Sequence, residues 1–357
     1  MRLRKFFSCC IALLLCLAIS APAFSAPLTK VRTAWMDEHE TFLIWYAKEK
    51  GWDKEEGIEL EINYFNSGMD IVNATPSGSW VVAGNGAVPA VWGALRYNTY
   101  VIAIGNDESY TNALLLRPDS PILKTKGYNK DYPEVYGHPD DVRGKTFLIT
   151  TMSSPHFTLS HWLRVLGLKE SDVTIKNIDQ AQGLAAFDSG DGVCLWAPHM
   201  FFGMDKGWKV AGTPNTCGVG LPTVLMGDKK FCDANPELVA KFLRVFLRSA
   251  NMLQKETPES LAPEYCRFFQ EFVGKSFTPE MAALDIKTHP VFNLEEQLAL
   301  FDGSKGQSKA AKWMADIAEF FASVGRITPD ELKVVKDGSY ATDKFLKLVK
   351  QPIPDYK

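Results

Sequence analysis

The feature that most constrains this sequence is a regular alternation of short apolar runs with longer stretches of helical periodicity. Residues 31–36 read as a first strand. Residues 40–50 read as a helix with Phe42, Leu43, Tyr46 and Ala47 on its apolar side, stopped at Gly51. Residues 58–65 alternate Ile58, Leu60, Ile62 and Tyr64 with Glu59, Glu61 and Asn63, the pattern of a half-buried strand. Strands at 81–83 and 101–104 enclose a helix at 87–95. A second unit of the same kind follows, with strands at 146–150, 173–177 and 192–196 and helices at 155–166 and 182–188. Such alternation specifies α/β layers with parallel strands.

Two breaks divide the pattern. Leu114-Leu115-Leu116 runs into Arg117-Pro118-Asp119-Ser120-Pro121, and Gly218-Val219-Gly220-Leu221-Pro222 interrupts the chain again. The expected organisation is therefore a discontinuous first lobe, residues 26–117 and 222–357, around a second lobe at 118–221. From residue 236 the chain is mainly helical to 335, with a long amphipathic helix at 236–253 and many aromatics between Phe242 and Phe277 to form a core under the first lobe.

Residues 1–25 read as an export signal and are set apart from the fold. Arg2, Arg4 and Lys5 precede an apolar run to Ser20 that is too short to span a bilayer, and Ala23 and Ser25 suit a cleavage site before Ala26. No later stretch has the length and apolarity of a membrane span, so the mature protein is expected free in the periplasm. The formal net charge is −3, and losing the basic signal makes it more negative. That excludes nucleic acid and anionic membrane surfaces as natural partners. Cys194, Cys217, Cys232 and Cys266 lie beyond the signal. Their spacing has no zinc-type element, and both disulfides and buried thiols are compatible with it.

Four segments then carry a resemblance across nearly the whole mature chain. They are Lys48-Glu49-Lys50-Gly51-Trp52 with Glu56-Gly57-Ile58; Leu114 to Ile122; Asp141-Val142-Arg143-Gly144-Lys145-Thr146 with Thr151-Met152-Ser153-Ser154-Pro155-His156; and Ala186-Phe187-Asp188-Ser189-Gly190 leading to Trp196-Ala197-Pro198. In this order, behind an export signal, they resemble the type II periplasmic binding proteins of the nitrate, alkanesulfonate, taurine and thiamine-precursor branch. The resemblance implies an α/β fold of two lobes with a ligand cleft between them and a helical C-terminal extension. It implies a monomeric solute-binding component that delivers a small molecule to ABC permease subunits in the inner membrane, with no enzymatic activity and no cofactor. The chain departs from the family at Trp35 to His39, at Thr151-Met152 and at Gly84-Asn85-Gly86, the places where ligand is normally read.

The site candidates follow from chemistry at strand ends. Ser154 reads as the N-cap and Pro155 as the first residue of a helix, so Ser153, Ser154 and the adjoining amides form a potential oxyanion site, with Thr151 and His156 beside it. Asp37 and His39 follow the first strand and Asp107 follows the strand at 101–104, where open α/β sheets bind ligands. Glu38 and Glu40 read as acids favoured at a helix N-terminus. Asn85 lies on the loop at 84–86. Trp35, Trp196 and Tyr110 are candidate walls for a ring or a cation. His156 and His161 do not share a helix face, so no metal is expected. A negative group against Ser153 and Ser154 and a positive group against Asp37 and Asp107 together specify a small zwitterion, and the resemblance points the same way, to an aminosulfonate such as taurine. A thiamine-precursor-like heterocycle and a nitrate-type anion are the alternatives. An enzyme on this fold, of the pyrimidine-synthase kind, would carry a Cys-rich motif that this chain lacks.

Overall fold

The computed structural model describes residues 27–357. The expected export signal, residues 1–25, lies outside the described residues. Ten strands form two sheets, each of five. The strands are β1 (Thr29–Trp35), β2 (Ile58–Tyr64), β3 (Val82–Gly86), β4 (Thr99–Asp107), β5 (Asn112–Leu116), β6 (Thr146–Ile149), β7 (Thr174–Asn177), β8 (Gly192–Trp196), β9 (Lys209–Gly212) and β10 (Pro222–Asp228). The first sheet has the order β2-β1-β3-β10-β4 and the second β7-β6-β8-β5-β9. In each, the parallel strands of βαβ units are joined by one strand that arrives from the other lobe and runs antiparallel to its neighbours: β10 in the first, β5 in the second.

This topology corrects one boundary. The strand at 112–116 was expected to end the first lobe, yet it sits in the middle of the second sheet, between β8 and β9. Leu114, Leu115 and Leu116 are fully buried because helices and strands cover both faces. The crossing is residues 108–111, and the Pro-punctuated segment after β5 only leaves the sheet. The return crossing occupies residues 213–221. The two crossings lie side by side: Glu108 N donates to the Leu221 carbonyl at 2.9 Å, and Leu221 N donates to Ser109 Oγ at 2.9 Å.

The helices that position the site are α1 (His39–Glu49), α2 (Ala87–Tyr97), α3 (Ser154–Val165), α4 (His199–Asp205), α5 (Pro236–Lys255), α6 (Pro258–Phe268), α7 (Pro279–Thr288) and α8 (Lys309–Ser323). The amphipathic helix α5 buries Phe242, Phe246 and Leu247 under the first sheet, and α6 adds Tyr265 and Phe268. At about 1.5–3 kcal/mol per buried large apolar side chain, this layer is a main stabilising element of the first lobe. Helix α8 spans both lobes. Its Phe321 packs on Trp92 of α2, while Phe320 packs on Phe157 and His161 of α3.

Candidate functional site

The C-terminal ends of β1, β4, β6 and β8 face one another across the two crossings, the position where α/β sheets take ligands. The polar side chains gathered there are buried. Asp37, Glu38, His39 and Glu40 follow β1; Glu108 follows β4; Asn112 opens β5; Ser154 follows β6; Trp196 ends β8 and His199 begins α4.

Two contacts hold the lobes together across this space. Ser154 Oγ donates to Glu108 Oε1 at 2.6 Å. Asp37 Oδ2 lies 3.2 Å from His199 Nε2 of the second lobe and 2.5 Å from Lys275 Nζ. Burial pushes the Asp37 carboxyl upward, but His199 and Lys275 outweigh it and hold the group well below the usual carboxylate range. Asp37 is thus an anion already neutralised by the protein.

The other acids are not. Burial, then the negative charges of Glu40 and Glu108, push Glu38 well above the ordinary value. Burial also raises Glu40, which shares a hydrogen bond with Glu38. Burial pushes Glu108 up to about 7 against the donation from Ser154. Glu38 Oε2 and Glu40 Oε2 are buried without a hydrogen-bond partner. Among the described residues no lysine or arginine pairs with any of the three. Trp196 ends β8 next to the first crossing, where Ala197 N donates to the Thr111 carbonyl. It is directly opposite Asn112 in the β5–β8 ladder, so both side chains share a sheet face, and Asn112 Nδ2 reaches the Glu108 carbonyl. Trp196 is 4% exposed, and its indole Nε1–H has no partner.

Behind the acids lies a relay built from α6 and α7. Tyr265 donates to Asp285 Oδ2 at 2.8 Å and so accepts from His39 Nδ1 at 2.9 Å, which leaves His39 Nε2 as an unpartnered acceptor. Burial, reinforced by His289, holds His39 well below its ordinary value and neutral. Burial lowers His289 as well, but the Asp285 carboxylate, 2.7 Å from its Nδ1, outweighs it and raises the group. His289 Nε2 then donates to Thr111 Oγ1, at 2.7 Å, on the first crossing. His39, Asp285 and His289 bring three potential metal-ligating atoms within 4.8 Å of one another. The two imidazoles, however, are stacked with ring planes 5° apart, and both nitrogens of His289 are engaged. Stacked parallel rings cannot aim their in-plane lone pairs at one ion, so this grouping braces the crossing.

Several expected site residues sit elsewhere. Trp35 is a core residue and not a cleft wall. It is fully buried against Phe242, its Nε1 donates to Thr33 Oγ1, and Gly84 leaves room for its ring. Asn85 donates to the Gly68 carbonyl inside the first lobe. Asp107 caps a turn, its Oδ1 accepting from Ser109 N and Oγ. Tyr110 is 49% exposed. Thr151 donates twice to Asn177 Oδ1. Ser153, not Ser154, is the N-cap of α3, and its hydroxyl turns back to the Thr150 carbonyl. His156 accepts from Met152 N at Nδ1 and donates from Nε2 to Glu170, within the second lobe. Met152 adopts φ 59°, a left-handed conformation that glycine takes without strain. The oxyanion site at Ser154 is therefore taken by the protein's own Glu108.

From sequence, Glu38 and Glu40 read as acids favoured at a helix N-terminus. The i, i+4 pair Asp285 and His289 was the one signal in the C-terminal helices that could have exposed the relay.

No family model matches the chain. A protein of Brachyspira hyodysenteriae named as an ABC transporter periplasmic binding protein is 29% identical over 91% of this chain and 92% of its own length. The taurine-binding periplasmic protein of Escherichia coli is 26% identical over 64% of this chain and 67% of its own. Among solved structures, the periplasmic aliphatic sulphonate-binding protein of Escherichia coli matches 87% of this chain and 99% of its own, with TM-score 0.65 and 15% identity. The periplasmic nitrate-binding protein of Synechocystis matches 92% and 91%, with TM-score 0.65 and 14% identity. The fold is the two-lobed one of these binding proteins.

Proposed function

We infer that this chain is the solute-binding component of an ABC-type importer, capturing a small organic molecule by closing its lobes in the periplasm and presenting the closed form to membrane permease subunits. The observation that carries this reading is the ring of buried, partly unpartnered polar side chains at the facing strand ends. Glu38, Glu40 and Trp196 keep polar atoms without protein partners at the one place where both lobes and both crossings meet. A buried polar atom without a partner costs about 1–3 kcal/mol, so an arrangement of this kind is favourable when a ligand completes it. Ser154–Glu108 and His199–Asp37 join the lobes, and a ligand held between them shifts the population toward the closed state. A binding role is further supported by nearly full-length similarity to a protein named as a periplasmic binding protein.

The test is mass spectrometry of small molecules released on denaturing the purified protein, with small-angle scattering before and after adding the released compound. A released molecule that reduces the radius of gyration supports the reading. A protein that carries nothing and compacts with no periplasmic extract fraction is not a solute carrier. Taurine enters this test through the name of one relative. The cleft groups themselves argue for a different charge class.

A further inference from the structure

We propose that the captured molecule carries a positively charged nitrogen, seated on Glu38, Glu40 and Glu108 with the Trp196 indole beside it. The proposal rests on the cleft being the ligand site, and it names the chemistry of what that site takes.

Charge decides it first. Three carboxyl groups, none more than 7% exposed, share one small space. The basic groups around them are engaged, although His39 Nε2 and His199 Nδ1 are buried without a partner. Lys275 and His199 are on Asp37, His289 is on Asp285 and Thr111, and His39 gives its Nδ1 proton to Tyr265. An anion can be received here only while all three acids keep their protons, because any that ionises adds a like charge at low dielectric. A cation meets three acceptors, two of which have an oxygen with no other partner.

The anion's usual place is also taken. The start of α3 is where an oxyanion would sit, and the Ser154 hydroxyl there is bonded to Glu108. A sulfonate would have to displace an internal carboxylate and leave it buried and unpaired. Trp196 is the independent observation. This large aromatic is buried but lies outside both apolar clusters of the protein, with its N–H unpartnered and its side chain on the Asn112 face beside Glu108. Its N–H is a donor left for an acceptor, so the captured molecule carries an acceptor beside its cationic nitrogen.

A cation also replaces protons. Closing on anything but a cation takes up protons, because burial raises the acids; closing on a cation leaves them ionised, so its affinity does not fall between pH 6 and pH 8.

The experiment uses the full mature protein, stripped of bound solutes by denaturation and refolding. Thermal shift and calorimetry are run at pH 6 and pH 8 with size-matched probes: ethanesulfonate, taurine, ethanolamine and choline. The expected result is binding by one or both of the last two, without proton uptake and without loss of affinity from pH 6 to pH 8. Glu40→Gln and Glu108→Gln, which keep shape and remove charge, should each weaken that binding about tenfold or more while circular dichroism shows an intact fold. Preferential binding of ethanesulfonate, or of taurine with no loss on either substitution, overturns the proposal and leaves the importer reading standing. So does cation binding unaffected by either substitution. Should no probe bind, the molecule released from freshly purified protein decides: a compound without a cationic nitrogen overturns the proposal, and no released compound removes the importer reading beneath it.

Discussion

Replacing Ser154 by alanine tests the link between lobe closure and the buried acid most directly. The hydroxyl lies 2.6 Å from Glu108 Oε1 and, in the closed state, joins the second lobe to the first crossing. A hydrogen bond to an ionised group contributes about 1.5–3 kcal/mol. Because closure is linked to ligand binding, losing it weakens affinity by roughly tenfold to a hundredfold, at about 1.4 kcal/mol per decade. The effect has a definite pH dependence. Burial raises Glu108 from its ordinary 4.5 to about 7, so in the closed state it is largely neutral at pH 6 and largely ionised at pH 8. Ser154 favours the ionised form, so its removal should matter more at pH 8. The same raised value means that, without ligand, the closed state takes up a proton. Closure is then unpenalised below about 4.5 and increasingly disfavoured as pH rises through 7. Calorimetry of Ser154→Ala and Ser153→Ala with the same ligand at both pH values reads this directly. Ser153 bonds only to Thr150 in its own lobe and serves as the control. Equal affinities for the two variants at both pH values would refute the reasoning.

Other outcomes follow from the same geometry. His156→Ala should lower urea stability by about 1–3 kcal/mol while leaving ligand affinity unchanged, because both ring nitrogens are used inside the second lobe. Gly84→Ala would place a Cβ 2.4 Å from the Trp35 ring and should cost about 1–3 kcal/mol in chemical denaturation, with part of that recovered in the double variant carrying Trp35→Phe. Cys266, half-buried, should be the first thiol to react with Ellman's reagent in the native protein. Cys194, Cys217 and Cys232 are buried, and burial holds their pKa values high, about 12 for the latter two, so they should react only on unfolding. Fewer than four thiols in the denatured, unreduced mature protein would mean that a disulfide forms.

Periodicity, helix stops and the strand–helix alternation are local properties, and they determined the α/β character, most of the strands in β1 to β8 and the helical C-terminal part. The Gly/Pro break near residue 220 also lay in the sequence, because backbone punctuation is written in residue type. The sequence could not assign β5 to a lobe. A fully apolar strand suits the edge of one sheet or the centre of another equally well, and only its ladders with β8 and β9 decide. The same limit governs the site. Asp37, Glu38, Glu40 and Glu108 are chemically near-identical in the sequence, and each suits a helix or strand end. What separates them is which partner arrives from far along the chain: Lys275 and His199 for Asp37, Ser154 for Glu108, and no basic partner for Glu38 and Glu40. Residue type fixed where charge could be. The tertiary structure decided which charges were cancelled, because burial and long-range pairing, not local sequence, set the cost of leaving a carboxylate alone.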